Sequence, residues 1–323
     1  MAGAAQSVNG KQRAPMNRTL TLSEGDRSRL TPRLIHPLLS QPFPQLPTGT
    51  IQGDCLAIAP LLPRQSVDLL VLDPPYNLTK SFNGRKFTKS TIDDYSDWLN
   101  EVVTTLKPVL KPTASIYICG DWLSSVSIFQ VASAHFVVRN RITWEREKGR
   151  GAKTNWKNSS EDIWFCTQSE DYTFNVDAVK LRRKVLAPYR HNDGAPKDWD
   201  ATDMGNFRDT HPSNLWTDIT IPFWSMPENT NHPTQKSEKL IAKLVLASTN
   251  DGGVVLDPFL GSGTTSVVAK KLNRQYLGIE IDLEYCLLAE KRLELADSDV
   301  RIQGFSKRVF WERNTLANQN QVR

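Results

Sequence analysis

Val254-Val255-Leu256-Asp257-Pro258-Phe259-Leu260-Gly261-Ser262-Gly263-Thr264-Thr265 reads as a buried strand, a tight glycine turn and the start of a helix. The apolar triplet suits a strand covered on both faces. Gly261 and Gly263 lack a Cβ, so the backbone there can turn sharply and approach a ligand closely. Ser262 to Thr265 open a helix whose free N–H groups favour an anionic group. The next strand, Gln275–Glu280, ends in an acid 17 residues after Gly263. A carboxylate in that place, with Ile281 beside it, accepts hydrogen bonds from ribose hydroxyls. The same logic fits a nicotinamide cofactor, so this part alone does not choose. The plainer role for Glu280 is an acid at a helix N-terminus.

Outward from this unit the chain alternates buried strands with helices. Thr50–Gly53 reads as a short strand, Cys55–Leu62 as a short helix and Val67–Leu72 as a buried strand. Trp98, Val102, Leu106 and Leu110 give helical spacing over Asp94–Leu110, with Pro112 beyond. Ala114–Cys119, Phe136–Trp144 and Ile163–Thr167 read as strands, and Trp122–Ala132 as a helix. Helices are also expected at Ser237–Leu246, Ser262–Leu272 and Leu283–Leu295. This alternation predicts an α/β protein with a parallel sheet. Tyr172 to Asn231 carries many polar residues, Pro and Trp, without a period. A stretch that long is rarely one loop, so a small inserted subdomain is expected there. Trp199, Trp216 and Trp224 are expected in its core. Residues 1–47, rich in Pro, Ser, Arg and Gln, read as a flexible or loosely attached arm.

A second motif, Asp73-Pro74-Pro75-Tyr76, ends the Val67–Leu72 run. An exocyclic amino group on an aromatic ring is a poor nucleophile, because its lone pair is shared with the ring. A carboxylate and a backbone carbonyl, each accepting one N–H, favour a more tetrahedral nitrogen. Asp73 supplies the carboxylate. Pro74 supplies a carbonyl in a stiff backbone, since proline restricts itself and the residue before it. Tyr76 offers a flat face for stacking, and Asn77 is placed to hold the loop. The bland alternative is a Pro-Pro turn after a strand.

These two motifs, with the catalytic one first, resemble the permuted β-class of DNA amino methyltransferases that use S-adenosylmethionine. Asp257-Pro258-Phe259-Leu260-Gly261-Ser262-Gly263-Thr264 resembles that family's cofactor loop rather than a Gly-x-Gly-x-x-Gly string. His232-Pro233-Thr234-Gln235-Lys236 resembles the family motif that holds the methionine part, with Ser237 where the family often has proline. Lys236 is thereby implied to pair with the cofactor carboxylate and Thr234 to hydrogen-bond it. Gly53-Asp54-Cys55-Leu56 resembles the segment whose aspartate meets the adenine amino group; a helix cap is the simpler role for Asp54. The resemblance covers roughly residues 48–295. It implies a Rossmann-like methyltransferase fold with a mostly parallel seven-stranded sheet flanked by helices and a circularly permuted motif order. The implied organisation is an arm (1–47), a catalytic half (48–169), a target-recognition region (170–230), a cofactor half (231–296) and a C-terminal extension (297–323). The implied activity is methylation of adenine N6 in duplex DNA, by base flipping and direct transfer. Asp in the first motif position usually goes with adenine, whereas cytosine-N4 enzymes usually have serine there. RNA or protein-glutamine methyltransferases usually have Asn first and the cofactor loop ahead. Intact Asp73, Tyr76, Gly261 and Glu280 oppose a non-catalytic DNA-binding regulator on the same fold. A partner restriction endonuclease and a homodimer are implied by analogy only.

The net charge of +5 is unevenly spread. Arg139 to Lys157 holds seven basic residues against two glutamates. Lys80, Arg85, Lys86 and Lys89 follow the catalytic motif, and Lys180, Arg182, Arg183, Lys184 and Arg190 lie in the irregular stretch. Clustered positive charge interleaved with Trp144 and Trp156 suits DNA, although any one cluster alone reads as solvated surface. Arg182 or Arg190 is a candidate guanine reader. The Lys80–Lys89 segment is expected to close over flipped DNA. The four cysteines lie far apart without Cys-x-x-Cys spacing, as for buried thiols in a reducing cytosol and not a metal site. None follows a proline as the nucleophile of cytosine-C5 enzymes does. No apolar run approaches the roughly 20 residues of a spanning helix, and no secretion signal is apparent, so a bacterial cytoplasmic protein acting at the nucleoid is expected.

Overall fold

The computed structural model describes residues 14–82, 85–146, 153–185, 189–202 and 205–313. The helices are α1 (Glu24–Leu30), α2 (Cys55–Ile58), α3 (Ile92–Leu106), α4 (Ser125–His135), α5 (Glu238–Ser248), α6 (Thr264–Lys271) and α7 (Leu283–Ser298). The strands before residue 150 are β1 (Gly49–Gln52), β2 (Val67–Leu72), β3 (Lys80–Phe82), β4 (Arg85–Phe87), β5 (Leu110–Gly120) and β6 (Val137–Glu145). Those after it are β7 (Ser160–Thr167), β8 (Leu181–Lys184), β9 (Asp200–Thr202), β10 (Gly205–Thr210), β11 (Leu215–Trp216), β12 (Val254–Asp257), β13 (Gln275–Glu280), β14 (Phe305–Ser306) and β15 (Val309–Trp311).

The main sheet has the order β1, β13, β12, β2, β5, β7, β6, β11. Among its described strands only β7 runs against the others. The expected seven strands are present, and the two-residue β11 adds an eighth. From β2 the sheet continues outward through β5, β7 and β6, with β7 inserted between the two strands that precede it in the chain. From β12 it builds the other way to β13, with β1 on the far edge. Neighbouring β2 and β12 therefore mark the switch point, where α/β sheets bind ligands beyond their carboxyl ends.

Apolar side chains explain the layers. Tyr95, Leu99, Val102, Val103 and Leu106 form the buried stripe of α3, which covers one sheet face with α2 and α4. Leu240, Ile241, Leu244 and Val245 of α5 and Val268 of α6 pack on the other face. Thr91 caps α3 by accepting from the Asp94 amide. That helix ends at Leu106, before Pro108, and Leu110 already belongs to β5, not to the helix its spacing suggested. The helix expected from Trp122 starts at Ser125, because Asp121 first takes the Ser124 amide into a turn.

Two terminal expectations need correction. Residues 1–13 lie outside the described residues, but the segment from 14 to 47 is no loose arm. Ser23 and Asp26 form a capping box on α1, and α1 docks on α7 through Arg27–Glu284 (2.9 Å) and Lys291–Asp26 (2.7 Å). The insert is not self-contained either. A second sheet runs β14, β15, β8, β10, β9, so two of its five strands come from the C-terminal extension. Phe310 pairs with Leu181 and Trp311 with Arg182, in parallel. Trp199 and Trp216 are buried as expected, but Trp224 is half-exposed. No helix among the described residues is long and apolar enough to cross a membrane.

Candidate active site

Register brings the two motifs together. Leu70 of β2 pairs with Leu256 of β12, so Asp73 and the Asp257–Gly263 loop leave the sheet side by side. Both line one cleft of about 420 Å³, together with Asp54, Lys236 and Glu280. The reversed β7 brings its amino end to the same rim, because Asp162 pairs with Gly120 at the end of β5. Glu161 thus enters the cleft wall, as does Arg146 just beyond β6.

The Asp73 carboxylate is held from several sides. Lys236 Nζ donates to its Oδ1 at 2.8 Å and its Oδ2 at 2.7 Å. The Tyr76 hydroxyl donates to Oδ1 at 3.0 Å, with Glu161 Oε2 a second acceptor at 3.3 Å. Glu161 pairs with Arg146 and lies 3.4 Å from Lys236 Nζ. Burial, reinforced by the two carboxylates, pushes the Tyr76 hydroxyl well up, so it remains a donor. The Pro75 carbonyl accepts from Tyr95 Oη at 2.9 Å, which pins the Pro-Pro turn. Asn77 does hold the loop: its Oδ1 accepts from the Ser90 amide at 2.8 Å and its Nδ2 donates to the Ser90 carbonyl at 3.1 Å. It staples the two ends of the β3–β4 hairpin.

The glycine loop has the conformation its residues allow. Gly261 and Gly263 have φ of +53° and +85°. A Cβ on Gly263 would lie 2.5 Å from that of Ala289, and one on Gly261 2.9 Å from His232 Nε2. Glu280 fastens the turn: its Oε2 accepts from the Gly261 amide at 2.8 Å and its Oε1 from the Asp282 amide at 2.9 Å. Burial raises its pKa in spite of these bonds. The cap of α7 is Asp282, not Glu280. Burial pushes Asp257 up to about 7, and its Oδ1 accepts from the Phe259 amide. Phe259 lies against Trp98, and Trp98 against Phe87 of the hairpin. Ser262 and Thr264 are buried, with the Ser262 carbonyl and Thr264 Oγ1 both accepting from Arg292. Pro258, Thr234, Cys55 and the half-exposed Ile281 also line the cleft.

Three of the cleft residues also have partners within the protein. Asp54 caps α2 by accepting from the Leu56 amide at 2.9 Å, although it also lines the cleft. Gln235 turns inward to Thr230 and the Glu228 carbonyl. Lys236 holds Asp73. Glu161 was not legible because nothing local shows that β7 is reversed, and Arg146 stood out only as one charge of the basic Arg139–Lys157 segment.

The DNA candidates fare unevenly. Lys80 lines the cleft, its pKa lowered by burial and by Arg146. Lys89 and Lys184 are exposed and Arg183 is half-buried. The side chains of Arg85 and Lys86, and residues Lys148 and Arg150, lie outside the described residues. Arg182 is engaged within the protein: its fork grips Asp209 at 2.7 and 2.8 Å and lies over Trp311. Arg190 is bonded to the Gly194 carbonyl and lies over Trp199. Trp144 is buried, whereas Trp156 is 92% exposed on the basic segment.

The N6–N4 methyltransferase family, described as DNA methylase, matches residues 67–291. The DNA adenine methyltransferase YhdJ of Escherichia coli (strain K12) is 36% identical over 254 residues, spanning 76% of this chain and 82% of that protein. The type II methyltransferase M.HpaI of Haemophilus parainfluenzae is 33% identical over 236 residues, spanning 72% and 70%. Among solved structures, the cytosine-N4-specific PvuII DNA methyltransferase aligns with a TM-score of 0.55 at 18% identity, over 79% of this chain and 93% of that one. The M1.HpyAVI–SAM complex aligns with a TM-score of 0.51 at 24% identity, over 76% and 98%. Those two likenesses concern the fold, and the family match and the two relatives settle membership: this chain belongs to the DNA methylase family.

Proposed function

We propose that this protein transfers a methyl group from S-adenosylmethionine to the N6 amino group of adenine in duplex DNA. The observation that carries the reading is the meeting of Asp73 and the Gly261–Gly263 turn in one cleft at the switch point. The name of the Escherichia coli relative, at 36% identity, supports adenine as the base. The residues present fit the cofactor. Gln52 pairs with Glu280, so Asp54 and Glu280 stand at the ends of neighbouring strands as two acids for a nucleoside. The glycine turn beside them admits a ligand to the backbone. When bound, the cofactor supplies a sulfonium methyl as electrophile.

The chain's own residues prepare the nucleophile. Asp73 accepts one amino hydrogen and the Pro74 carbonyl the other, which draws the nitrogen toward tetrahedral geometry. The Tyr76 ring, tethered through its hydroxyl, offers a stacking face. A paired base cannot reach this rim, so the target is swung out of the duplex. The β3–β4 hairpin and Lys80 stand next to the clamp and receive the displaced strand, while residues 170–230 and the second sheet read the sequence. A restriction endonuclease with the same target, a homodimer and a cytoplasmic site of action complete the reading.

The test is transfer of labelled methyl to duplex DNA and to RNA, followed by modified-base sequencing of DNA from an expressing host. The expected outcome is N6-methyladenine at one short DNA motif. Asp73→Ala lowers the rate by about 10³-fold or more while sparing cofactor affinity. Labelled RNA, or N4-methylcytosine in the DNA, would overturn the substrate.

A further inference from the structure

Lys236 lines the cleft, yet protein holds it from several sides. Before it, Gln235 is latched to Thr230 and Glu228. Its own carbonyl accepts from Thr264 Oγ1 at 3.2 Å. Its side chain is 7% exposed. The ammonium has three hydrogens, and Asp73 Oδ1, Asp73 Oδ2, the Tyr76 hydroxyl and Glu161 all lie within 3.4 Å of Nζ. Burial disfavours the charge, but Asp73 and Glu161 outweigh it, so the pKa is raised and the ammonium persists. Arg146 secures Glu161 from the other side.

An ionised carboxylate offers about four acceptor sites. Lys236 uses one on each oxygen of Asp73, and Tyr76 uses the second on Oδ1. Among the described residues one site remains, on Oδ2. We infer that Lys236 is a positioning residue for Asp73 and not a ligand of the cofactor carboxylate, leaving Oδ2 to accept the amino hydrogen of the base. Glu161, held by Arg146, positions Lys236 in turn. The inference rests on the methyl-transfer reading above. The alternative, Lys236 turned to the cofactor, takes from Asp73 the ammonium that holds both its oxygens and leaves Glu161 to Arg146 alone.

The two roles separate by measurement on the full-length protein. S-adenosylhomocysteine, which keeps the amino-acid carboxylate, is titrated by calorimetry into the wild type, Lys236→Met and Glu161→Gln. Single-turnover transfer at saturating cofactor and DNA is measured beside it. The expected result for Lys236→Met is a Kd changed by less than about tenfold with a rate lowered by more than about tenfold. Glu161→Gln lowers the rate in the same direction, Glu161→Asp restores most of it, and KM for DNA stays put. A Kd weakened about tenfold or more in Lys236→Met, or a rate lowered by less than that, overturns the assignment. Should Lys236→Met not fold, Lys236→Gln serves in both arms. If the wild type methylates no DNA, the functional reading fails, yet the calorimetric arm still decides what Lys236 binds.

Discussion

His232 lies between the Tyr285 ring, 4.5 Å away centre to centre, and the backbone of Gly261. Burial lowers its pKa to about 4, against the pull of Asp73. The native ring therefore binds its proton more weakly than the unfolded chain does. Its contribution to stability is complete above about pH 6.5 and is lost as the pH falls toward 4. Asp257, raised to about 7, acts the other way: its contribution is present below its unfolded pKa and is lost as the pH rises through 7. A wild-type curve blends the two, so a variant is needed. The stability gap between wild type and His232→Gln narrows by about 1–2 kcal/mol on going from pH 7.5 to pH 5, as read from urea midpoints. A constant gap contradicts the shift. At this scale the residues legible beforehand were those whose role is local. Asn77, Gly261 and Gly263 act through backbone shape and nearby segments. The protein partners of Lys236 and Arg182 were not legible because they are remote: Lys236 and Asp73 are 163 residues apart in the chain.

Among the elements, long apolar runs told true. Val67–Leu72, Val254–Asp257 and Gln275–Glu280 were expected with the bounds they have, since each lies buried inside the sheet. The failures share a cause. β11, β14 and β15 are two or three residues long and owe their form to partners elsewhere. The β3–β4 hairpin was read as a basic segment that closes over DNA, without its strands, and it is tied at its base by Asn77 and touches the site through Phe87 and Trp98. Deleting residues 82–88 is expected to weaken DNA binding at least about tenfold while changing cofactor affinity far less. Parallel titrations with DNA and S-adenosylhomocysteine check this, and equal losses reject a DNA-closing role. The reversed β7 was invisible for a related reason. Antiparallel placement is decided by sheet neighbours, and it moves Glu161 from an apparent loop to the catalytic rim.

For the whole molecule, the alternation of buried strands and helices already pointed to an α/β protein with a parallel sheet, and the order of the two motifs to the permuted class. The ends of the chain were less legible, because a polar segment docks through a few contacts that leave no period. Phe310, 0% exposed, packs on Phe305 and sits beneath the Lys243 ammonium, which itself grips Asp218. Phe310→Ala is expected to cost about 3–5 kcal/mol in denaturant unfolding. A loss below about 1 kcal/mol, as for a surface substitution, places the C-terminal strands outside the fold. Those strands bear on any exchange of this segment with a homologue. A chimaera that exchanges only residues 181–210 with a homologue gives the donor's β8 a foreign neighbour and parts Arg182 from Trp311. The transplantable unit is discontinuous: residues 181–210 must travel with 305–311, or the graft arrives with one edge unmatched.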